Sequence, residues 1–150
     1  MPRVRTFVTL AAAAVCAGAV LAPSPAQAAG SVQLHKIYYD SPGKDTRSNK
    51  SLNAEYVQIR NATGKAVSLK GWKVTDSSRH AYTFGAYTLG KGKTVTVRTG
   101  KGSNTSANRY QGRRAYVWNN DKDKATLRRA SGSTADTCAY NNKRAVYKMC

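Results

Sequence analysis

Period-two alternation of apolar and polar residues recurs along most of the chain beyond residue 30. Tyr56-Val57-Gln58-Ile59-Arg60 places Val57 and Ile59 on one face, with Gln58 and Arg60 opposite. Thr94-Val95-Thr96-Val97-Arg98 repeats the arrangement around Val95 and Val97. Weaker alternation predicts further strands over 33–39, 72–75, 81–84, 115–118, 125–128 and 145–149. Turn-forming residues at 61–64, 90–92, 119–123, 131–133 and 141–142 separate them. Beyond the first thirty residues no segment carries a sustained 3.6-residue apolar stripe. Many short strands joined by polar turns predict an all-β, antiparallel sandwich or barrel. Its expected core is Val57, Ile59, Trp72, Val74, Val95, Val97 and Leu127. Trp72 should fill the centre, because a large ring buries much area. Two longer stretches, Asp40 to Asn53 and Arg98 to Arg114, read as irregular loops, and loops of that length in a compact domain are usually functional or disordered.

The first residues have a different pattern. Arg3 and Arg5 precede an apolar run from Phe7 to Ala22, shorter than the about 20 residues that cross a bilayer. Pro23 and Pro25 break it, and Ala26-Gln27-Ala28 supplies the small-x-small site of a signal peptidase. Residues 1–28 are therefore expected to be a secretory leader, and residues 29–150 one mature domain with no membrane span. Val15 before Cys16 does not fit a lipoprotein signal. Removing the leader leaves Cys138 and Cys150, an isolated pair in an oxidising compartment, which predicts a disulfide stapling the C-terminal extension.

Particular residues then resemble a known family. Glu55-Tyr56-Val57-Gln58-Ile59-Arg60-Asn61, followed by Val67-Ser68-Leu69-Lys70-Gly71-Trp72-Lys73-Val74-Thr75-Asp76, is similar to the opening of a lamin tail domain. Tyr82-Thr83-Phe84 and the stretch Leu89 to Val97 resemble the family's next strands, and Asp123 to Leu127 with Ala130-Ser131-Gly132 its closing hairpin. The likeness spans roughly Val32 to Cys138. It implies an immunoglobulin-like antiparallel β-sandwich in a small secreted bacterial form, and it implies no shared catalytic activity or ligand.

Charge changes the picture more than any motif. The chain holds 25 Lys and Arg against 7 Asp and Glu, a formal charge of +18. Loss of the leader removes only Arg3 and Arg5, and the surplus is larger from Gly90 onward. Arg98, Lys101, Arg109, Arg113 and Arg114 lie on one stretch without an acid, with Tyr110 and Trp118 as candidate stacking residues. This stretch is the expected binding face for an extracellular polyanion, either anionic cell-wall polymer or nucleic acid, contacted without sequence specificity. Lys44 and Arg47, in the other irregular stretch, are expected to contribute much less. The bland alternative is a uniformly cationic, soluble surface.

Chemistry-bearing patterns are sparse. No G-x-S-x-G elbow occurs, and neither His35 nor His80 has an HxxxH or HExxH partner. Asp121-x-Asp123 lacks a closing Glu and is flanked by Lys122 and Lys124, so it reads as a solvated turn, not a calcium loop. Gly90-Lys91-Gly92-Lys93-Thr94 lacks the first glycine of a phosphate-binding loop, whose place Tyr87 takes. The expectation is a non-catalytic domain without cofactor or metal. The alternatives are a small secreted hydrolase or nuclease with an unrecognised site, and a basic antimicrobial or competitor-directed protein.

Overall fold

A computed structural model of the protein describes residues 30–150, so the expected leader and cleavage site lie outside the described residues. The N-terminal half contains β1 (Val32–Tyr38), a short helix α1 (Asn49–Ala54), β2 (Tyr56–Asn61), β3 (Val67–Ser68), β4 (Lys73–Thr75), β5 (Ala81–Thr83) and β6 (Thr88–Leu89). Then follow β7 (Thr94–Arg98), β8 (Asn108–Tyr110), β9 (Lys122–Arg128), β10 (Thr134–Asn141) and β11 (Tyr147–Met149). One sheet has the order β11-β1-β2-β7-β8 and the other β10-β9-β4-β5, with β3 and β6 forming a small ribbon. The two larger sheets share a single apolar core, and the protein is an immunoglobulin-like β-sandwich.

Alternation explains the register. Ile37 lies opposite Val57, and Val57 opposite Val97; Leu34 lies opposite Ile59, and Ile59 opposite Val95. Strands β2 and β7 thus send one alternating face inward, and in β1 a bulge between Leu34 and Lys36 brings both Leu34 and Ile37 to it; there these residues meet Val74 and Leu127, themselves cross-strand partners on β4 and β9. All of the expected core except Trp72 is buried. Trp72 is half-buried and packs on the core from its rim, with the Arg129 guanidinium 5.9 Å from its ring. The reason is the turn before it: Gly71 takes φ 79°, and Trp72 N–H closes the turn onto Leu69 C=O at 2.9 Å. That geometry inserts Leu69, fully buried, where Trp72 was expected.

Other elements depart from the alternation reading. Residues 115–118 form no strand, and most of α1 falls within Asp40 to Asn53. The stretch Arg98 to Arg114 contains β8, which pairs in parallel with β7, the one parallel pairing among the described strands. Alternation does not show β10, because Thr134 to Asn141 has too few apolar residues; it is the second strand of the closing hairpin that the family resemblance implies, and it pairs along its length with β9.

Cys138 and Cys150 are bonded, with Cα atoms 5.7 Å apart. The bridge holds edge strand β11, which pairs with β1, to β10 in the opposite sheet. Its loop is short, so reduction should lower stability by no more than about 3 kcal/mol. The local effect should be larger. Amide exchange of Tyr147–Met149 is expected to lose its protection on reduction while β2 and β7 keep theirs. Equal loss in all three strands would mean that the staple supports the whole fold.

Candidate functional site

Two stretches far apart in sequence are joined at one end of the first sheet. Ser48 caps α1, its Oγ accepting the Ser51 N–H at 3.2 Å. Asn49 and Asn53, one turn apart, both donate from Nδ2 to Lys101 C=O, at 3.0 and 2.8 Å, and Asn49 Oδ1 accepts the Lys101 N–H at 2.8 Å. Gly100 permits this approach: a Cβ there would lie 2.6 Å from Asn49 Oδ1 and 2.7 Å from Asn53 Oδ1. The junction leaves an open cleft of about 490 Å³ lined by Arg47, Asn49, Leu52, Lys101, Arg113 and Arg114. Beyond Ser48 and Ser51, a second cavity of about 360 Å³ carries Lys44 and Lys50, so cationic surface continues over α1.

The residues expected to bind polyanion divide into two groups. Lys101, Arg113 and Arg114 come together in the cleft. Arg98 and Arg109 do not. Arg98 donates from Nε to Asn108 Oδ1 at 2.8 Å and from Nη1 to Asn53 C=O at 2.7 Å, with its guanidinium 5.5 Å from the Tyr56 ring. These bonds tie α1 and β8 to β7. Arg109 lies over Tyr87 at 4.1 Å. Arg47, expected with Lys44 to contribute much less, belongs to the same cleft, with φ 55°, a left-handed conformation that costs a non-glycine residue on the order of 1 kcal/mol. No pattern in the polar stretch 40–53 sets it apart, since the contact that places it is long-range: its N–H donates to the Tyr116 hydroxyl at 3.4 Å.

Trp118 is no stacking residue. It is 2% exposed, directly after buried Val117. Two consecutive buried side chains cannot both face inward from a strand, whose residues alternate between faces. The backbone is irregular here, and its N–H groups go to Glu55, not to a neighbouring strand. Tyr110 is half-buried, with Gly102 packed so closely that a Cβ there would lie 2.4 Å from ring atom Cε1. That side of the ring is closed to a ligand.

Glu55, missed in the sequence, anchors the backbone shortly after Arg113 and Arg114. It is fully buried at the junction of α1 and β2. Its Oε1 accepts the Thr99 hydroxyl at 2.5 Å and the Val117 N–H at 2.8 Å, and Oε2 accepts the Trp118 N–H at 3.2 Å. Burial pushes the carboxyl up to about 7, against the lowering effect of these three donors. The site thus rests on an acid that anchors the loop carrying Arg113 and Arg114.

The remaining acids are similarly engaged. Asp76 accepts from the His80 backbone and ring, and Asp123 from the N–H groups of Ser77, Asn119 and Lys124. Asp123 is therefore a buried structural cap, not a solvated turn residue. Asp136 accepts from Leu34 and Thr137 N–H, Asp121 from Lys122 N–H, and Asp40 and Asp45 from Asn120 Nδ2. Among the described residues no Lys or Arg lies within ion-pair distance of a carboxylate; the single acid–base contact is His80 with Asp76. Nor do three or more His, Cys, Asp or Glu side chains gather there in a metal-binding group. No helix of the described residues is long and apolar enough to cross a membrane.

Residues 25–142 match the family model described as Lamin Tail Domain. No curated protein matches the chain. Strand β11 lies beyond the matched residues.

Proposed function

The chain belongs to the lamin tail domain family, and we propose that it is a secreted, non-catalytic attachment domain that binds an extracellular phosphate-bearing polyanion through the cleft between α1 and the loop after β7. The observation that carries this reading is the uncompensated charge. Every carboxylate caps backbone, hydroxyl, amide or imidazole groups, and none neutralises a Lys or Arg within the described residues. Arg47, Lys101, Arg113 and Arg114 line one cleft, and such a cluster repels itself until a polyanion supplies countercharge. With Trp118 buried and Tyr110 partly covered, charge is available there and stacking is not, which favours contact with a phosphate backbone over contact with bases. The leader pattern and the disulfide support secretion.

Binding should weaken steeply with salt. Four phosphate contacts on duplex DNA give a log–log slope near −3.6, from about −0.9 per phosphate. Replacing Arg113 and Arg114 with Gln should flatten it by about two. The control is Lys91 and Lys93 replaced with Gln, exposed in the turn before β7 and so at its opposite end. That double removes the same charge and should leave the slope nearly unchanged. Titrations on duplex DNA and on purified anionic wall polymer decide which backbone binds more tightly. Equal effects of the two doubles on both polymers would sink the cleft and leave only diffuse attraction.

A further inference from the structure

Arg113 and Arg114 also bound a smaller pocket, about 210 Å³, lined in addition by His80, Ala115 and Tyr116. His80 ends the hairpin turn between β4 and β5. Arg79 takes φ 70°, and the turn brings the His80 N–H back onto Asp76 Oδ1 at 2.7 Å. The other oxygen, Oδ2, lies 2.6 Å from His80 Nδ1. The Asp76 side chain is wholly buried, whereas the imidazole is 40% exposed. A buried carboxylate thus fixes the ring with Nδ1–H inward and leaves Nε2 for the pocket. Beside it, the Arg113 guanidinium reaches Ala81 C=O at 3.4 Å, the residue next to His80. Tyr116 is held from behind by a 2.6 Å bond between its hydroxyl and Ser51 Oγ.

We propose that this pocket is a binding site for a single phosphate group, gripped by His80, Arg113 and Arg114. With Nδ1–H committed to Asp76, a neutral ring presents only a lone pair at Nε2, which repels a phosphate oxygen. The imidazolium presents Nε2–H, and Asp76 offsets its charge from the buried side. The bound form therefore carries a protonated His80 donating from Nε2, with the two guanidinium groups supplying forked, charge-assisted bonds. The other charged or titratable groups around the ring are Asp76 and Arg79 on its own hairpin, and Tyr116 from the loop before β9. The inference rests on the polyanion reading for its ligand: the phosphate is one phosphodiester of the polymer crossing the cleft, anchored where Arg113 and Arg114 serve both cavities.

The test is ¹⁵N NMR of the two histidine rings in the mature protein, titrated with dimethyl phosphate. The His80 Nε2 resonance should move to its protonated position while His35 stays put, the assignment coming from His80→Gln. That variant keeps the backbone bond to Asp76 and should bind dimethyl phosphate roughly tenfold more weakly, the worth of one charge-assisted hydrogen bond. Arg114→Gln, an exposed position, should weaken it comparably. A His80 ring that ignores the phosphate, or a folded His80→Gln protein that binds it like the native one, overturns the site. Both results can occur while native protein still binds DNA or wall polymer, so the polyanion reading would survive. Conversely, a His80 response without polymer binding would overturn that reading and leave the site standing.

Discussion

Relative to Glu55→Gln, the native protein should lose about 3 kcal/mol of stability as pH rises from 4.5 to 7. Folding buries the Glu55 carboxyl completely and raises it from an ordinary 4.5 to about 7. Between those values the folded protein holds a proton that the unfolded chain has released. The stabilising contribution is therefore complete below pH 4.5, declines through the window and is gone above about 7. The separation of 4.5 from about 7 corresponds to about 3 kcal/mol. Thr99 lets both forms persist: its hydroxyl donates to the carboxylate, and by rotating its proton it accepts from the carboxylic acid. Gln cannot titrate, so denaturant unfolding of both proteins across this range isolates the effect. A stability difference between the two proteins that is level or rising from pH 4.5 to 7 would show that the three hydrogen bonds outweigh burial.

The sandwich was legible because its central strands obey one rule. Val57, Ile59, Val95 and Val97 alternate with polar neighbours, and the register pairs them inward on adjacent strands. Elements that broke the rule were missed for physical reasons. Helix α1 buries only Leu52, so no 3.6-residue stripe exists to be seen. Strand β8 has three half-buried residues and is placed by its parallel pairing with β7. Ala115 to Trp118 imitated a strand because alternation cannot distinguish one inward apolar residue from two in succession.

The site was half legible, and the division follows local against long-range structure. An acid-free basic run identifies Lys101, Arg113 and Arg114, whose usefulness to a ligand depends on exposure near one another. The same run includes Arg98 and Arg109, which the fold uses internally, on Asn108 and Asn53 and over Tyr87. Arginine serves both ends with the same side chain, so composition cannot separate them. Arg47 and His80 are brought in by contacts across the chain, and Glu55 reads as one more acid until the backbone of Val117 and Trp118 converges on it.

Trp118→Ala should cost about 3–5 kcal/mol, whereas Trp72→Ala should cost roughly half as much. Tryptophan next to glycine at the start of a strand suggests the core anchor, and the structure exchanges the two roles. Trp118 is among the largest fully buried side chains, so its removal opens a cavity in surroundings already fixed by Glu55 and by the Tyr140 hydroxyl bond to Asn119 C=O at 2.6 Å. Such a site collapses poorly, and an incompletely relaxed cavity adds to the lost transfer free energy. Trp72 sits half in water at the rim, where solvent replaces the ring and neighbouring Arg129 can settle over the gap. Because both substitutions remove a fluorophore, urea unfolding followed by far-ultraviolet circular dichroism is the suitable measurement. Unchanged m-values would keep the comparison on the folded state. The reverse order of costs would return Trp72 to the centre of the core and make the loop before β9 a passive cover, with Glu55 anchoring nothing that the fold requires.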